Sequence, residues 1–200
     1  MKNPDNIRAL IDLPVDMMGL IFYEKSPRCV DERNVVEIIA LSQEISKVGV
    51  FVDASFETIF EKIELFKLQL VQLHGKESPD FCNALRKNGI VQIIKAFQLK
   101  TAEDLDVCRL YEGCCDYFLF DTQTPQYGGS GKKFDWEILS EYAGTTPFFL
   151  SGGIAPEDAG IIKKLNFPKL VAVDLNSQFE VTAGVKDTDK ICRFIAGLHK

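Results

Sequence analysis

Short runs of consecutive apolar residues alternate along this sequence with longer segments in which apolar residues recur at helical spacing. The pattern predicts seven strand–helix units after an opening helix over residues 4–10, with Asn3 as its N-cap and Pro4 in its first turn. The predicted strands cover residues 17–23, 48–52, 70–73, 91–97, 117–120, 148–150 and 170–175. The predicted helices cover residues 31–45, 56–66, 79–87, 102–111, 134–142, 156–165 and 189–198.

The predicted strands are continuously apolar, as in GLIFY, VGVFV and YFLF. Such strands are covered on both faces, which is typical of parallel α/β sheets. Units of about 20 to 30 residues, with no GxGxxG after the first strand, favour a (β/α) barrel over a doubly wound nucleotide-binding sheet. A complete barrel has eight strands, so the pattern predicts a (β/α)8 TIM barrel that lacks one strand. No linker or change of composition divides the sequence, and we expect a single domain over residues 1–200.

Composition and charge exclude several classes of protein. With 46% hydrophobic and 26% charged residues, the chain has the composition of a globular protein rather than a disordered one. The net charge of -6, without a Lys/Arg-rich stripe, argues against nucleic acid or an anionic membrane as the partner. The first sixteen residues are polar and the apolar run after them is too short to span a bilayer, so we expect a cytoplasmic protein.

Disulfide and zinc chemistry are not expected from the cysteines and histidines. The six cysteines form no CxxC pair and no Cys/His cluster, so we interpret them as reduced and mostly buried. His74 and His199 are the only histidines, which argues against a His-based zinc site.

A glycine-rich turn after a late strand is the first candidate for ligand binding, because barrel sites lie at the carboxyl ends of the strands. Gly152 and Gly153 would let the backbone approach a ligand, and Pro156 would begin a helix whose positive end favours an anion such as a phosphate. Asn176 and Ser177 follow the next strand, and phosphate sites in barrels are often shared by two such loops. The alternative is a tight turn that needs glycine only for its backbone conformation.

Three further candidate side chains follow predicted strands. Asp121 ends the run YFLF, where partial burial at the barrel mouth suits a carboxyl group for proton transfer, but it could equally cap the loop through the backbone of Thr122 or Thr124. Arg28 could hold a carboxylate with its planar guanidinium or only solvate the loop after the first strand. For His74, a structural hydrogen bond to the backbone is favoured over catalysis.

Two other features leave alternatives open. Asp53, Lys95 and Asp174 lie near strand ends and could be paired in an ion network, and Lys95 is the one lysine suited to form a Schiff base in a different phosphosugar barrel enzyme, such as an aldolase. Residues 122–133 form a long polar segment with three glycines directly after a strand, and loops of this kind are usually functional.

Six segments carry a resemblance to a known family: GLIFYEKSPRCV, VGVFVD, VQLHG, FDTQTPQYGGSGKKFDW, FLSGGIAPED and VAVDLNSQFEVTAGVKD. In this order they resemble phosphoribosylanthranilate isomerase, an enzyme family of tryptophan biosynthesis. The resemblance covers nearly the whole chain, and the DTxTPxxGGSGxxFDW stretch is specific to that family.

The resemblance implies an Amadori rearrangement of N-(5'-phosphoribosyl)anthranilate to 1-(2-carboxyphenylamino)-1-deoxyribulose 5-phosphate, without a metal or an organic cofactor. This is an intramolecular oxidoreduction of the aldose–ketose type. By position, Asp121 matches the general acid of the family, and Arg28 matches the residue that holds the anthranilate carboxylate. The other expected substrate-binding residues are His74, Gly152, Gly153, Asn176 and Ser177.

The sequence departs from the family pattern at two places. Ser177 is followed by Gln178, where the family usually has a glycine. The family also begins with a short apolar strand that ends in Cys-Gly, whose cysteine is the general base, whereas this sequence begins at Met1, where the first helix of the family starts. We therefore expect the reading frame to continue upstream of Met1, and the chain as it stands to lack the base.

These departures set the expectations for activity and partners. Without its base, the chain should be weak or inactive as an isomerase, and the alternative is a catalytically silent phosphate-binding or scaffold protein. A missing strand also leaves the strands at Met17 and Leu170 with unpaired edges, which favours a homo-oligomer. The expected partners are the phosphosugar–anthranilate substrate and a second copy of the chain, without nucleic acid or membrane.

Overall fold

Seven parallel strands form one sheet in the order in which they occur along the chain. The computed structural model describes residues 1–42, 44–122 and 133–199. The strands are β1 Met17–Ile21, β2 Ser46–Phe51, β3 Leu70–Leu73, β4 Gln92–Leu99, β5 Tyr117–Thr122, β6 Phe148–Leu150 and β7 Leu170–Val173. A separate antiparallel hairpin is formed by β8 Glu180–Thr182 and β9 Val185–Lys186. The prediction of seven barrel strands is confirmed.

Helical segments connect successive strands. The α-helices are α1 Pro4–Arg8, α2 Val35–Leu41, α3 Phe56–Phe66, α4 Pro79–Lys87, α5 Ala159–Ile162 and α6 Thr188–His199. Asn3 caps α1 through its side chain, as predicted, and Ser55 and Ser78 cap α3 and α4 in the same way. The helices described for this chain include none that is long and apolar enough to cross a bilayer.

Several predicted α-helices are 3-10 helices in the structure. The predicted helix over residues 102–111 is the 3-10 helix Ala102–Tyr111, and the one over residues 134–142 is the 3-10 helix Trp136–Glu141. The predicted helix over 156–165 is the 3-10 turn Pro156–Asp158 followed by the four-residue α5. The predicted helix over 31–45 likewise begins with a 3-10 turn before α2.

The spacing of buried residues explains this difference. In the segment Ala102–Tyr111 the buried side chains are Leu105, Cys108 and Tyr111, which follow one another at three-residue intervals. A repeat of three matches the three residues per turn of a 3-10 helix, and over two or three turns it also satisfies the apolar pattern of an α-helix.

The hairpin was not predicted, because strands of two and three residues are too short to show a period.

Side chains along each strand alternate between the helix-covered outer face of the sheet and its inner face. In β5, Phe118 and Phe120 belong to the large core that includes helix residues, whereas Leu119 belongs to a separate inner cluster. By the same alternation Tyr117 and Asp121 lie on the inner face. The inner cluster consists of six buried residues: Val48, Leu70, Ile94, Ala96, Leu119 and Phe149. Asp121 is therefore the polar residue that follows the apolar inner layer in β5.

The barrel is open between its first and last strands. Among the strands in the described part of the chain, β1 pairs only with β2 and β7 only with β6, while Ile21 at the end of β1 also bridges to Cys29. Each edge strand carries one exposed apolar side chain, Met17 at 38% in β1 and Val171 at 54% in β7. An unpaired strand edge presents free N–H and C=O groups to any neighbouring strand.

A buried ion pair attaches the hairpin to the loop after β1. Arg28 Nη2 lies 2.7 Å from Glu180 Oε2, and Arg28 Nε lies 3.0 Å from both carboxylate oxygens. The side chains of Arg28 and Glu180 are only 13% and 5% exposed. Burial by itself would raise the pKa of Glu180, but the hydrogen bonds from Arg28 and the charge of Lys186 outweigh it and hold the pKa below its ordinary value.

Removal of the Glu180 charge should destabilise the fold. We expect Glu180→Gln to lower the free energy of unfolding by about 3 kcal/mol at neutral pH, because it leaves a buried arginine without its counter-charge. Because the folded-state pKa is lowered, the carboxylate stabilises the fold at neutral pH, and this contribution is lost as the pH falls through the folded-state pKa. Urea denaturation at several pH values measures both effects.

The matched control is Asp31→Asn, which removes an acidic partner from an arginine at the surface. Arg33 is 88% exposed in that pair, and exposed ion pairs contribute little. Equal losses of stability in the two variants would contradict the proposed contribution of the Glu180 carboxylate.

Candidate functional site

The carboxyl end of the inner face brings together side chains from β3, β4 and β5. Gln98 and Asp121 are register partners on β4 and β5, and both follow the apolar inner layer. His74 directly follows β3, and its Nε2 atom lies 3.4 Å from Asp121 Oδ2. The side chains of His74 and Asp121 are 17% and 26% exposed, so both reach solvent from a largely buried position.

Asp121 is held on its other side by the backbone. The N–H of Thr122 donates to Asp121 Oδ1 at 2.7 Å, which is the loop-capping hydrogen bond that the sequence left as an alternative. The other oxygen of the same carboxyl group, Oδ2, faces His74. Asp121 therefore caps the loop and also lies at the candidate site. The hydroxyl of Thr122 is buried and has no hydrogen-bond partner among the residues that the structure describes.

His74 is oriented by a side chain rather than by the backbone. The sequence favoured a backbone hydrogen bond for this ring, but its Nδ1 atom lies 2.9 Å from Nε2 of Gln72, two residues earlier on the same face of β3. Gln72 was not predicted as a site residue. The sequence did contain a signal for it, because Gln72 stands two residues before His74 in the segment VQLHG and so lies on the same face of the strand.

The Gly152–Gly153 turn passes directly beside Asp121. Both glycines have positive φ, at 86° and 66°. A Cβ atom on Gly152 would lie 2.4 Å from Thr122 Oγ1, 2.5 Å from Thr122 N and 3.0 Å from Asp121 Oδ1. Glycine at position 152 is therefore required by both conformation and space, and the turn is packed against the strand end that carries Asp121.

The helix start after this turn differs from the sequence prediction. Pro156 begins a three-residue 3-10 turn, and the preceding N–H of Ala155 donates to Asp158 Oδ2 at 2.6 Å. Asp158 also pairs with Lys133 at 2.6 Å. The N–H of Ala155 is thus already bonded and is not free to donate to an anion.

The second predicted phosphate loop is held by Lys186. The Nζ atom of Lys186 donates to Asn176 Oδ1 at 3.0 Å and to the carbonyl oxygen of Leu175 at 2.9 Å. Burial lowers the pKa of Lys186, although the charge of Glu180 partly opposes that effect. Ser177 begins the 3-10 turn Ser177–Phe179 and is partly exposed at the same end of the sheet.

Arg28 reaches this end of the barrel in a fixed orientation. Its Nε and Nη2 atoms are engaged by Glu180, so the guanidinium does not merely solvate its loop. Nη1 is the nitrogen that this pairing leaves over. Glu180 was not predicted as a partner, because 152 residues separate it from Arg28 along the chain.

The three charged residues whose roles the sequence did not decide are each bonded to groups nearby in space. Lys95 lies on the outer face, where it is 2% exposed and bonds to Glu77 Oε2 at 2.9 Å and to the carbonyl oxygen of Gly75 at 2.7 Å. Asp53 accepts from the N–H of Lys76, and Asp174 accepts from Ser151. Lys95 therefore points away from the inner face, which argues against a Schiff-base lysine at this site.

The remaining sequence predictions concern the glycine-rich segment, the cysteines and metal binding. The glycine-rich segment after Asp121 lies outside the described residues at positions 123–132. All six cysteines are free: three are buried, Cys29 and Cys114 are partly buried, and Cys192 is exposed. Burial raises the pKa of Cys29, whose thiol donates to the carbonyl oxygen of Val30. In the described ranges no three His, Cys, Asp or Glu side chains are arranged to hold a metal ion.

Known proteins match this chain over nearly its whole length. The family model of N-(5'-phosphoribosyl)anthranilate isomerase matches residues 1–196. A protein of that name from Parabacteroides distasonis is 49% identical over 197 residues, which are 98% of this chain and 89% of the relative.

Solved structures agree with the sequence relatives. The crystal structure of phosphoribosylanthranilate isomerase from Thermotoga maritima has a TM-score of 0.84 at 29% identity, covering 100% of this chain and 95% of that one. A solved complex of the isomerase with reduced 1-(o-carboxyphenylamino)-1-deoxyribulose 5-phosphate has a TM-score of 0.80 at 26% identity, with the same coverage. The open seven-stranded sheet is thus a TIM-barrel-like fold that lacks one strand. The chain belongs to the N-(5'-phosphoribosyl)anthranilate isomerase family, the isomerases of tryptophan biosynthesis.

Proposed function

We propose that the site at the carboxyl end of the inner face catalyses the Amadori rearrangement of N-(5'-phosphoribosyl)anthranilate by general acid–base chemistry, an intramolecular oxidoreduction of the aldose–ketose type. The observation that carries the proposal is the position of Asp121, which faces His74 at 3.4 Å and lies beside the Gly152 turn. A related isomerase is solved with a reduced form of the reaction product, which contains both a phosphate and a carboxylate.

Asp121 is the proposed general acid. Its carboxyl group donates a proton to the furanose ring oxygen, which opens the ring to a Schiff base. A base then removes the C2' proton, and the resulting enolamine becomes the ketone. Asp121 is placed for the first step because its carboxyl group is partly exposed and can meet a bound substrate, while the Thr122 N–H fixes the orientation of the group through Oδ1.

The two anionic groups of the substrate would be bound by different elements. Arg28 is proposed to bind the anthranilate carboxylate through Nη1, since Nε and Nη2 are held by Glu180. The phosphate is assigned to two loops at the same end of the sheet, with the glycine turn on one side and the segment after β7 on the other. The proposed phosphate-binding residues are Gly152, Gly153, Asn176 and Ser177.

We propose that none of the cysteines among the described residues acts as the base. Cys82, Cys108 and Cys115 are buried residues of the large outer core. Cys29 lies in the loop after β1, and burial raises its pKa, which disfavours the thiolate that a base would need. We therefore propose that the polypeptide binds the substrate but turns it over slowly.

The test of the base compares this 200-residue polypeptide with a version extended at its N-terminus by a short apolar strand ending in Cys-Gly. We expect the extended version to be about 10²- to 10⁴-fold more active, since that is the usual contribution of one acid–base group. Isomerase turnover is followed by substrate consumption. If both versions bind the product analogue but neither turns over, the alternative of a silent phosphate-binding protein is favoured. Full activity of the unextended polypeptide would contradict the missing base.

A separate prediction concerns the acid. In the extended version, Asp121→Asn should lower kcat by about 10²- to 10⁴-fold with nearly unchanged binding of the product analogue, because the amide cannot donate the proton at ordinary pH. The matched control is Asp106→Asn, which changes an aspartate that is 70% exposed on the helical layer. An equal loss of kcat in both variants would exclude a specific role for Asp121.

The open barrel also supports a proposal about assembly. Neither β1 nor β7 has a strand partner on its outer side among the residues described, although Gly19 O and Ile21 O of β1 accept from Met1 and Val30. The edge strand β7 carries the exposed Val171. A related isomerase from Thermotoga maritima is described as dimeric, which supports association within the family. We propose that two copies of this polypeptide associate through these edges.

Charge on the edge strand tests this assembly. Val171→Lys should shift sedimentation equilibrium toward the monomer, because a charged side chain on a strand edge opposes pairing with a second chain. Val181→Lys is the control, since Val181 is 69% exposed but lies in the hairpin outside the barrel sheet. A monomeric unaltered polypeptide, or a dimer that resists Val171→Lys and yields to Val181→Lys, would refute the proposal.

A further inference from the structure

Gln72 is a polar side chain in an otherwise apolar part of the barrel interior. It is 8% exposed, and its register partners on the neighbouring strands are Val50 and Ile94. Burial of an amide among apolar side chains is unfavourable unless the amide is hydrogen-bonded. The bond it makes is to the ring of His74, the residue that faces Asp121.

The chemistry of this bond determines which nitrogen of His74 carries the proton. The Nε2 atom of Gln72 is an amide nitrogen, which only donates hydrogen bonds. Its partner at 2.9 Å, Nδ1 of His74, must therefore accept, and in a neutral ring the proton is then on Nε2. That proton points toward Asp121 Oδ2 at 3.4 Å, slightly beyond the usual hydrogen-bond length.

Asp121 by itself would not determine the tautomer. As a carboxylate it accepts from a protonated Nε2, but as a carboxylic acid it could equally donate to a bare Nε2. The second arrangement would let His74 take the proton that the acid should give to the substrate. The amide of Gln72 excludes it, because a proton on Nδ1 would face another donor.

We propose that Gln72 is a positioning residue that holds His74 as the Nε2–H tautomer, so that His74 donates to Asp121 and cannot accept its proton. The catalytic consequence rests on the function proposed above, whereas the tautomer itself does not. When Asp121 gives up its proton, the Nε2–H group is in place to stabilise the carboxylate that forms. Gln72 thus acts on the acid through one intervening ring.

Nuclear magnetic resonance measures the tautomer directly, without turnover. The chain has only two histidines, so His199→Gln leaves His74 as the one imidazole in the spectrum. In nitrogen-labelled 200-residue protein at mildly alkaline pH, where a free imidazole is neutral, we expect a protonated Nε2 and a bare Nδ1. An Nδ1–H tautomer in the unaltered protein would overturn the proposal.

Substitution of Gln72 by residues of similar shape tests the cause. Gln72→Glu presents a carboxylate that accepts, so the proton should move to Nδ1, and Gln72→Met should leave a mixture of the two tautomers. Gln69→Met is the matched control, because Gln69 lies one residue before the same strand at the opposite end of the sheet. An unchanged tautomer in folded Gln72→Met, or an equal change in Gln69→Met, would refute the assignment.

Activity of the extended version separates this proposal from a merely structural role. We expect Gln72→Glu to lower kcat by about 10-fold, a part of the total contribution of a general acid, with nearly unchanged KM. If the tautomer moves as expected but kcat does not, Gln72 positions His74 without supporting Asp121, and the catalytic part of the proposal fails. If the extended version is itself inactive, the proposed function fails while the spectra still decide the tautomer.

Discussion

The register of the parallel strands is the constraint on which the site depends. In a strand, successive side chains point to opposite faces, so a one-residue shift would exchange the inner and outer sets. The pairing of Leu119 with Ala96 and of Asp121 with Gln98 keeps the apolar residues of β4 and β5 in one inner layer and places Asp121 immediately after it. Shifted by one residue, β5 would bury Asp121 among the helices and turn Phe120 toward the barrel mouth. Packing of the aromatic outer core thereby determines where the carboxyl group lies.

The outer face also supports the site from behind. Glu77 accepts from the N–H groups of Asp53 and Gly75, while its other partner is the buried ammonium group of Lys95. These bonds hold the loop that follows His74 against the carboxyl end of β2 and leave no space for a side chain at Gly75, where a Cβ atom would clash with Asp53. A buried ion pair is weak evidence for stability, because desolvation offsets much of the attraction. In this structure the Lys95–Glu77 pair helps to hold the turn at Gly75, which directly follows His74, the residue whose ring faces Asp121.

The sequence predicted the strands and the position of Asp121 better than it predicted partners. Continuous apolar runs mark parallel strands, and the residue after each run lies at the barrel mouth whatever the exact bounds. The face on which Lys95 lies could not be read from such a run, because strands buried on both sides show no alternation. Pairs distant in sequence, such as Arg28 with Glu180, required the tertiary structure. The bond from Gln72 to His74 was closer to prediction, since two residues of separation in a strand place both side chains on one face.

The Arg28–Glu180 pair has a consequence for anion binding. A solvated arginine samples many rotamers, and ordering it on a ligand costs binding free energy. Arg28 has already lost that freedom, because two of its nitrogens are bonded to a carboxylate that is itself only 5% exposed. Lys186 lies 3.5 Å from the same carboxylate, and the charges of Glu180 and Asp174 both act on it. For an anion, the direction of approach is therefore restricted to the edge of the guanidinium that Glu180 does not occupy.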